Sequence, residues 1–395
     1  WRQSKMIFVF DTYKRGGVYL PNLVTDTTIE FRSEKWWDLA ISPPYSYEFR
    51  FLRYLWKHNI KYRVENIHDV NQQCVYPVNL NYFDPNIDYI ALVSDRAKHL
   101  AQQGLCTIWF YYSEGDNIDW HIDGCMRKQL SQHSIPLKQF KFTIANAQAE
   151  GDFYSYFPDD ELYYKYLHAD GGYVTQVNTD IRSKKFTCLN RVDKPFRRLF
   201  AATLVEHGLV DDAYFSYTDR KYQVEYETRD SDVGNWDTWD HSVLERFDPP
   251  YYCDSLEDYE HNSHKLIDTR FFQDAYYNVV VETHINNLFL TEKTFKPILN
   301  LQPFVIVGAP GSLALLHELG YKTFGDYIDE SYDSIEDPEQ RLVECMRTVE
   351  QISLMSHTEH MVDQHSMRQI LLYNQRHFLS DKSAKLLNLL DKISQ

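Results

Sequence analysis

Short apolar runs alternate with amphipathic stretches along this chain, and this alternation limits its possible folds most strongly. Buried strands are predicted at residues 5–10, 37–42, 89–94, 106–112, 186–190, 277–282 and 303–308. Helices are predicted at 49–59, 96–103, 195–207, 291–300 and 312–319, and from 338 towards the C-terminus. Strands that alternate with helices pair in parallel and carry helices on both faces. The sequence therefore predicts an α/β fold with mainly parallel sheets.

The chain has 395 residues, which favours two domains at about 100–200 residues each. The alternating pattern pauses over 149–182, a stretch rich in Tyr, Asp and Gly, and again over the polar, aromatic stretch 218–262. Because the pattern restarts after the first pause, we place the boundary near residue 180. We expect a Rossmann-like domain at 1–180, a second at 181–395, and a cleft between them.

Composition excludes several classes of protein. The 41 basic and 57 acidic residues give a net charge of −16, so nucleic acid is not the expected main partner. No apolar run approaches the roughly 18–20 residues of a membrane span. The six cysteines form no C-x-x-C pair, which argues against a zinc site and favours free thiols in a reducing, cytoplasmic compartment. The 30 tyrosines suit stacking on sugars or bases, although a tyrosine-rich core and surface is the simpler explanation.

The segment 279–311 carries the most chemical information. Glu282 stands at the carboxyl end of a predicted buried strand, the edge that faces ligands in open α/β sheets. Thr291 is a candidate N-cap for the next helix, and Lys293 lies in its first turn. A helix N-terminus attracts anions, so a lysine there suits a diphosphate. Glu292 can accept hydrogen bonds from ribose hydroxyls.

A T-E-K triplet by itself is also an ordinary start of a surface helix. The context here favours a nucleotide site, because the helix is followed by a further predicted strand that reaches a glycine loop at Gly308–Gly311. The motifs G-x-G-x-x-G, G-x-x-x-x-G-K-[ST], G-x-S-x-G and H-E-x-x-H are absent. Dinucleotide oxidoreductases, P-loop nucleotidases, serine hydrolases and zinc proteases of the usual types are therefore not supported.

This segment resembles the donor-binding motif of the α1,3-fucosyltransferases, in which an acid at a strand end precedes a T-E-K helix start and a short strand reaching a glycine. Residues 184–191, 282–298 and 320–333 also resemble glycosyltransferase-like proteins of phages, giant viruses and some bacteria. Both resemblances imply a glycosyltransferase of the GT-B type, with two Rossmann-like domains.

The resemblance to the fucosyltransferases also implies roles for individual residues. Glu292 would bind the donor ribose, and Lys293 with an arginine would neutralise the diphosphate. Arg197 has the matching R-x-x-F-x-x-x-L setting, with Arg191 and Arg198 as alternatives. An arginine suits this role because its planar fork pairs with two phosphate oxygens.

The sequence departs from the fucosyltransferase motif directly after the first acid. Thr283 and His284 follow Glu282, where those enzymes have an Asn. The identity of the sugar therefore cannot be carried over.

An inverting transferase needs a general base to deprotonate the acceptor hydroxyl. Glu114 and Asp116 follow the predicted strand 106–112, and we expect one of them to be this base, Glu114 first. The alternatives are Asp11 and Asp38, and His121 lies near Glu114 and Asp116 in the sequence. Gly16 and Gly17 are expected on the acceptor side, because glycine permits close approach of the backbone.

We therefore expect a hexosyl- or fucosyltransferase-like enzyme that moves a sugar from a nucleotide-sugar to a glycan or other hydroxyl acceptor. No metal or other cofactor is expected, because the D-x-D at Asp230–Asp232 does not follow an apolar strand and cationic side chains can hold a diphosphate. Two alternatives stay open: a non-catalytic glycan-binding or virion protein with the same fold, and a phage-type enzyme that glycosylates DNA bases.

Overall fold

The structure is a computed structural model that describes residues 6–10, 12–14, 18–20, 22–23, 50–80, 83–117, 120–220, 241–253 and 268–394. Its chain divides into two compact units. The first comprises Trp1–Tyr163 together with Asp381–Gln395, and the second comprises Tyr164–Ser380.

The described strands belong to three sheets. In chain order they are β1 (Ile7–Phe10), β2 (Thr12–Lys14), β3 (Val18–Leu20), β4 (Asn22–Leu23), β5 (Arg63–Asn66), β6 (Cys74–Leu80), β7 (Cys106–Tyr112), β8 (Phe140–Ile144), β9 (Tyr154–Tyr156), β10 (Lys184–Val192), β11 (Ala213–Arg220), β12 (Ala275–Val281) and β13 (Phe304–Val307).

The described helices lie mostly between these strands. They are α1 (Arg50–Lys57), α2 (Tyr89–Leu92), α3 (Asp95–Gln102), α4 (Trp120–Gln132), α5 (Asp159–Leu167), α6 (Pro195–Glu206), α7 (Ser242–Glu245), α8 (Arg270–Gln273), α9 (Glu292–Leu299), α10 (Ser312–Glu318), α11 (Pro338–Leu354), α12 (His357–Leu379) and α13 (Ser383–Ser394). Single 3₁₀ turns lie at Ile67–Asp69, Leu137–Gln139 and Ser331–Ser334.

The first unit contains a parallel sheet in the order β5-β1-β6-β7-β8-β9, with β4 also paired to β6. Strand β7 is buried over its whole length, as expected for a strand covered on both faces. Strands β2 and β3 form a separate antiparallel pair.

The second unit contains a parallel sheet in the order β11-β10-β12-β13. All four residues of β13 and six of the seven in β12 are buried. The carboxyl ends of β10 and β12 therefore lie side by side at one edge of this sheet. The prediction of an α/β fold with two mainly parallel sheets is confirmed.

One predicted strand is wrong. Residues 89–94 begin with the short helix α2 rather than a strand, because the Asp88 side chain accepts a hydrogen bond from the Ala91 N–H (2.9 Å) and caps the turn. The Gln129 amide oxygen also accepts from the Tyr89 N–H (2.9 Å). A run of a few apolar residues fits a buried strand and a buried helical turn equally well.

Both neighbours of β7 in the sheet, β6 and β8, were missed by the sequence analysis. Strand β6 is central in the sheet although it contains Pro77, a residue that cannot donate to a ladder. Strand β9 and helix α5 were missed as well, within the stretch 149–182. The strand predicted at 37–42 lies outside the described residues.

The boundary between the two compact units lies between Tyr163 and Tyr164, before the boundary near residue 180 that the sequence predicts. Residues after Tyr163 pack in the second unit, where the Val174 N–H donates to the Asn300 side chain (3.0 Å). The C-terminal helix packs in the first unit, where the ammonium groups of Lys382 (2.9 Å) and Lys385 pair with the fully buried Glu161. A buried carboxylate needs such partners, so this triad fixes the position of α13.

Candidate functional site

A buried carboxylate organises the start of helix α9. Glu282 directly follows β12 and is 1% exposed. It accepts hydrogen bonds from the Thr291 N–H (3.0 Å), the Thr291 hydroxyl (2.6 Å), the Thr294 hydroxyl (2.6 Å) and the Thr283 N–H (3.2 Å). Because both carboxylate oxygens serve the protein itself, Glu282 positions the helix. The expected contact of Glu282 with the donor stays a prediction.

The predicted N-cap is confirmed. The Thr291 side chain accepts a hydrogen bond from the Lys293 N–H (3.3 Å), and Thr291 itself has extended backbone angles. The helix proper begins at Glu292. Its first turn thus keeps the partial positive charge of an α-helix N-terminus, which favours a bound anion.

The Lys293 ammonium lies directly over this helix start. It donates to the hydroxyls of Thr283 (3.1 Å) and Thr291 (3.1 Å) and to the Glu292 carboxylate (3.2 Å). The side chains of Lys293 and Glu292 are 28% and 17% exposed, so an ordered contact here is stronger than at a fully exposed surface. The predicted pair is therefore held together in one partly buried place.

The three candidate arginines differ sharply in their surroundings. Arg197 is 3% exposed and donates to the backbone oxygen of Glu282 through Nε (3.1 Å) and Nη2 (2.7 Å), and to that of Val192 (3.3 Å). Its guanidinium ties the end of β10 to the end of β12. Arg197 is thus a structural residue in this arrangement, although the motif favoured it for the diphosphate.

The guanidinium of Arg198 is also engaged within the protein. Its guanidinium pairs with both carboxylate oxygens of Asp193, and the Tyr217 hydroxyl donates to the same carboxylate (2.5 Å). Arg191, in contrast, lies at the end of β10, and its charge acts on Lys296 in helix α9. Which of the three arginines contacts the donor diphosphate stays a prediction.

Lys296 belongs to the same cluster and was missed by the sequence analysis. Burial lowers the pKa of Lys296 to about 8; Glu292 opposes this shift, and Lys293 and Arg191 add to it. The signal was present in the sequence, because Lys296 is three residues after Lys293 and four after Glu292, which puts all three on one helix face.

The glycine loop after β13 serves the fold. A Cβ at Gly308 would lie 3.3 Å from the Glu282 Cβ, so this position keeps the space around the buried carboxylate. Gly311 has a left-handed φ of 77° and precedes α10. The N-terminus of α10 is filled by the Asp333 carboxylate, which accepts from the N–H groups of Leu313 (2.9 Å) and Ala314 (3.1 Å). The N–H groups of Leu313 and Ala314 are therefore occupied by the protein's own carboxylate, whereas the start of α9 has, among the described residues, no carboxylate in this capping position.

The candidate base residues belong to the first unit. Glu114 is exposed in the turn after β7, and its backbone oxygen accepts from the Ala145 N–H (3.1 Å). Asp116 is 8% exposed, and its carboxylate accepts a hydrogen bond from the Tyr112 hydroxyl. The side chain of His121, and all of Asp11, Asp38, Gly16 and Gly17, lie outside the described residues.

The described residues contain no cluster of three or more His, Cys, Asp or Glu side chains placed to hold a metal ion. The D-x-D at Asp230–Asp232 lies outside them. Among the helices that the structure describes, none combines the length and apolar character needed to cross a membrane.

No protein-family model matches the chain, and no curated protein matches its sequence. The structure is similar to a crystal structure of an α1,3-fucosyltransferase, with 10% identity, a TM-score of 0.45, and coverage of 99% of this chain and 90% of that chain. A structure of α1,3-fucosyltransferase with GDP gives 11% identity and a TM-score of 0.45 over the same shares. A structure described as OtsA in its apo form gives 11% identity and a TM-score of 0.43, over 92% of this chain and 79% of that chain.

Proposed function

We propose that this chain is a glycosyltransferase that binds a nucleotide-sugar donor by its diphosphate at the start of helix α9. The observation that carries the proposal is the Lys293 ammonium, held by the hydroxyls of Thr283 and Thr291 at the N-terminus of a capped helix. Helix dipole and ammonium charge act on the same anion. Arg191, at the end of β10, is proposed as the second cation.

The proposed chemistry follows from these charges. When the bond between sugar and diphosphate breaks, negative charge grows on the departing nucleoside diphosphate. Cations fixed beside it stabilise the transition state more than the ground state, which raises the rate. Side-chain cations then take the place of a divalent metal, so we propose a metal-independent reaction. Glu292 is proposed to accept hydrogen bonds from the donor ribose.

The acceptor side of the proposal is a hydroxyl group deprotonated by a carboxylate of the first unit. Glu114 is exposed and follows the buried strand β7, so it is our first candidate for this general base. Asp116 is the second candidate. A glycan is the proposed acceptor class.

A donor-hydrolysis screen tests this function. The protein is incubated with UDP-, GDP- and CMP-sugars in excess EDTA, and release of the nucleotide is measured. We expect turnover of one donor class that persists in EDTA. Turnover that is lost in EDTA and restored by Mn²⁺ or Mg²⁺ contradicts metal independence. Binding of a donor without any turnover, with or without a glycan acceptor, favours the non-catalytic glycan-binding alternative.

A further inference from the structure

Two cysteines lie side by side at the start of neighbouring strands in the first unit. Cys74 begins β6, Cys106 begins β7, and the two residues are register partners in the parallel ladder. The Cys74 thiol donates to the backbone oxygen of Leu105 (3.6 Å), the residue directly before Cys106. Register partners point to the same face of a sheet, so both thiols lie in the same part of the core.

The spacing of the two strands suits a covalent link between these residues. Neighbouring strands lie about 4.8 Å apart, and the Cα atoms of a disulfide lie about 4.4–6.8 Å apart. The Cβ atoms of a disulfide are closer, at about 3.5–4.5 Å, so a link would draw the two strand ends slightly together. Strained disulfides of this kind are readily reduced, which is typical of redox-sensing cysteines in reducing compartments.

The environment of Cys74 favours the reactive form of its thiol. A hydrogen bond with the Cys106 side chain lowers the pKa of the Cys74 thiol below its usual value; burial opposes this shift, and the positive charge of Arg96 adds to it. Arg96 comes from helix α3, and its guanidinium donates to the backbone oxygen of Val70 (3.1 Å), shortly before β6. The thiolate is the form of cysteine that attacks oxidants.

Other cysteines of the chain are less reactive than Cys74. Burial is the main cause that raises the pKa of the thiols of Cys125 and Cys345, and it raises the pKa of Cys188 to about 12. Cys253 acts on Cys188, but the Cys188 thiol stays protonated at this pKa. In the ladder Cys188 is the register partner of Phe215 rather than of another cysteine.

The cysteine pair lies beneath short turns at the edge of the sheet. Residues 71–73 are exposed before β6, and Gln102 and Gln103 are exposed before β7. The Gln73 amide donates to the Gly104 backbone oxygen (2.7 Å) and so joins the two turns. Exposed strand ends open locally at a lower cost than the centre of a sheet. A small oxidant can therefore reach Cys74, although this residue is only 4% exposed.

We propose that Cys74 and Cys106 form a reversible disulfide when the protein meets a peroxide, which makes the pair a redox-sensitive site of the first unit. The Cys74 thiolate attacks one oxygen of hydrogen peroxide, so an S–O bond forms, the O–O bond breaks, and the departing hydroxide takes up a proton to become water. The Cys106 sulfur then attacks the sulfur of the Cys74 sulfenic acid. The thiol proton of Cys106 passes to the departing hydroxide, which leaves as a second water.

This sequence of steps is balanced without any further reactant. The two cysteine sulfurs together lose two electrons, and the two oxygens of the peroxide gain them. The inference goes beyond the proposed function and does not depend on donor binding.

A count of thiols tests the inference on the full chain. The protein is reduced with dithiothreitol, desalted, treated with a small excess of hydrogen peroxide and then with catalase, and its free thiols are counted in denaturant. We expect six thiols before treatment, two fewer after it, and six again after renewed reduction. The intact mass should fall by two hydrogen atoms and gain no oxygen.

Peptide mapping identifies the linked residues. Trypsin cleaves after Arg96 and a Glu-specific protease cleaves after Glu114, which places Cys74, Cys106 and Cys125 on three different peptides. We expect one linked pair of peptides, which contains Cys74 and Cys106. Cys74→Ala should form no disulfide at the same dose of peroxide. Cys125→Ala, from the same unit, is the matched control and should still lose two thiols.

The map of the parent protein decides the matter even if Cys74→Ala does not fold. A link between Cys74 and Cys106 that dithiothreitol reverses supports the inference. Six thiols left after treatment, a gain of oxygen without a link, or a link between other cysteines such as Cys188 and Cys253 would overturn it.

Discussion

Glu282 and Thr291 are joined twice, by hydrogen bonds from the Thr291 N–H (3.0 Å) and hydroxyl (2.6 Å) to the buried Glu282 carboxylate. This pair links the end of strand β12 to the cap of helix α9. The same threonine hydroxyl accepts from the Lys293 ammonium (3.1 Å). The carboxylate thus sets where the lysine and the helix N-terminus lie.

The substitution Glu282→Gln tests this positioning role. Glutamine keeps the shape but has one acceptor oxygen instead of two, so the Thr283, Thr291 and Thr294 donors can no longer all be satisfied. We expect the free energy of unfolding to fall by about 1–3 kcal/mol. We also expect a weaker kcat/KM for the donor, because Lys293 loses its fixed place. Glu318→Gln, at an exposed position of α10, is the matched control. Unchanged stability and unchanged kcat/KM in Glu282→Gln would show that the carboxylate organises nothing.

The arginines should separate into one binding residue and one structural residue. Arg191→Met is expected to lower kcat/KM for the donor by about 10²-fold with little change in stability. Arg197→Met leaves the backbone oxygens of Glu282 and Val192 without their donor and should lower the free energy of unfolding by about 2–4 kcal/mol. Chemical denaturation and donor kinetics on both variants check this assignment. If Arg197→Met instead lowers kcat/KM and Arg191→Met instead lowers the free energy of unfolding, Arg197 is the residue that contacts the diphosphate.

The buried His360 should make stability depend on pH. Burial lowers the pKa of His360 to about 4, with Lys185 and His357 adding to the shift. In the unfolded chain the pKa is about 6.5. The folded protein therefore binds fewer protons, so its stabilisation is complete above about pH 6.5 and is lost as the pH falls towards 4.

His360→Phe isolates this contribution. Between about pH 6.5 and pH 5 the parent should lose up to about 2 kcal/mol of unfolding free energy through His360, and the variant should lose that much less. His168 also has a pKa lowered to about 4, mainly by burial, and contributes equally to both proteins. Urea denaturation at the two pH values measures the difference. Equal losses in parent and variant would exclude His360 as the source.

Substitution of the general base should lower the rate of the reaction and leave donor binding nearly unchanged. Glu114→Gln keeps the size of the side chain and removes the proton acceptor, so kcat should fall by about 10²–10⁴-fold with donor affinity nearly unchanged. Asp116→Asn gives the parallel test for the second candidate. Rates close to the parent in both variants would move the base to another residue.

Local signals made some of this fold predictable and left other parts hidden. Strand β7 was predictable from a mostly apolar run, and helix α9 from the Thr291 cap; both signals act over a few residues. Strand β6 was hidden by Pro77, because tertiary packing overrides the usual effect of a proline. The place of α13 in the first unit depends on the pairing of Lys382 with Glu161, a contact between distant parts of the chain.

The candidate site also contains features that local sequence predicts and features that depend on tertiary contacts. The T-E-K start of α9 was identifiable from residue type and spacing. The arginine was not, since Arg191, Arg197 and Arg198 differ only in the partners that the folded chain gives them. The position of Glu282 at a strand end is common to positioning and binding residues. Its four hydrogen bonds show that it positions α9, and its contact with the donor stays a prediction.

The central claim is that Lys293 holds the donor diphosphate at the N-terminus of α9. Donor turnover and donor binding by calorimetry are measured on folded Lys293→Ala. Lys322→Met, which removes an exposed lysine of the same unit, is the control. We predict that kcat/KM falls by about 10²-fold or more, equivalent to about 3 kcal/mol of lost transition-state stabilisation, while the control is unchanged. A Lys293→Ala protein that binds and turns over the donor as the parent does would contradict the claim and place the site elsewhere.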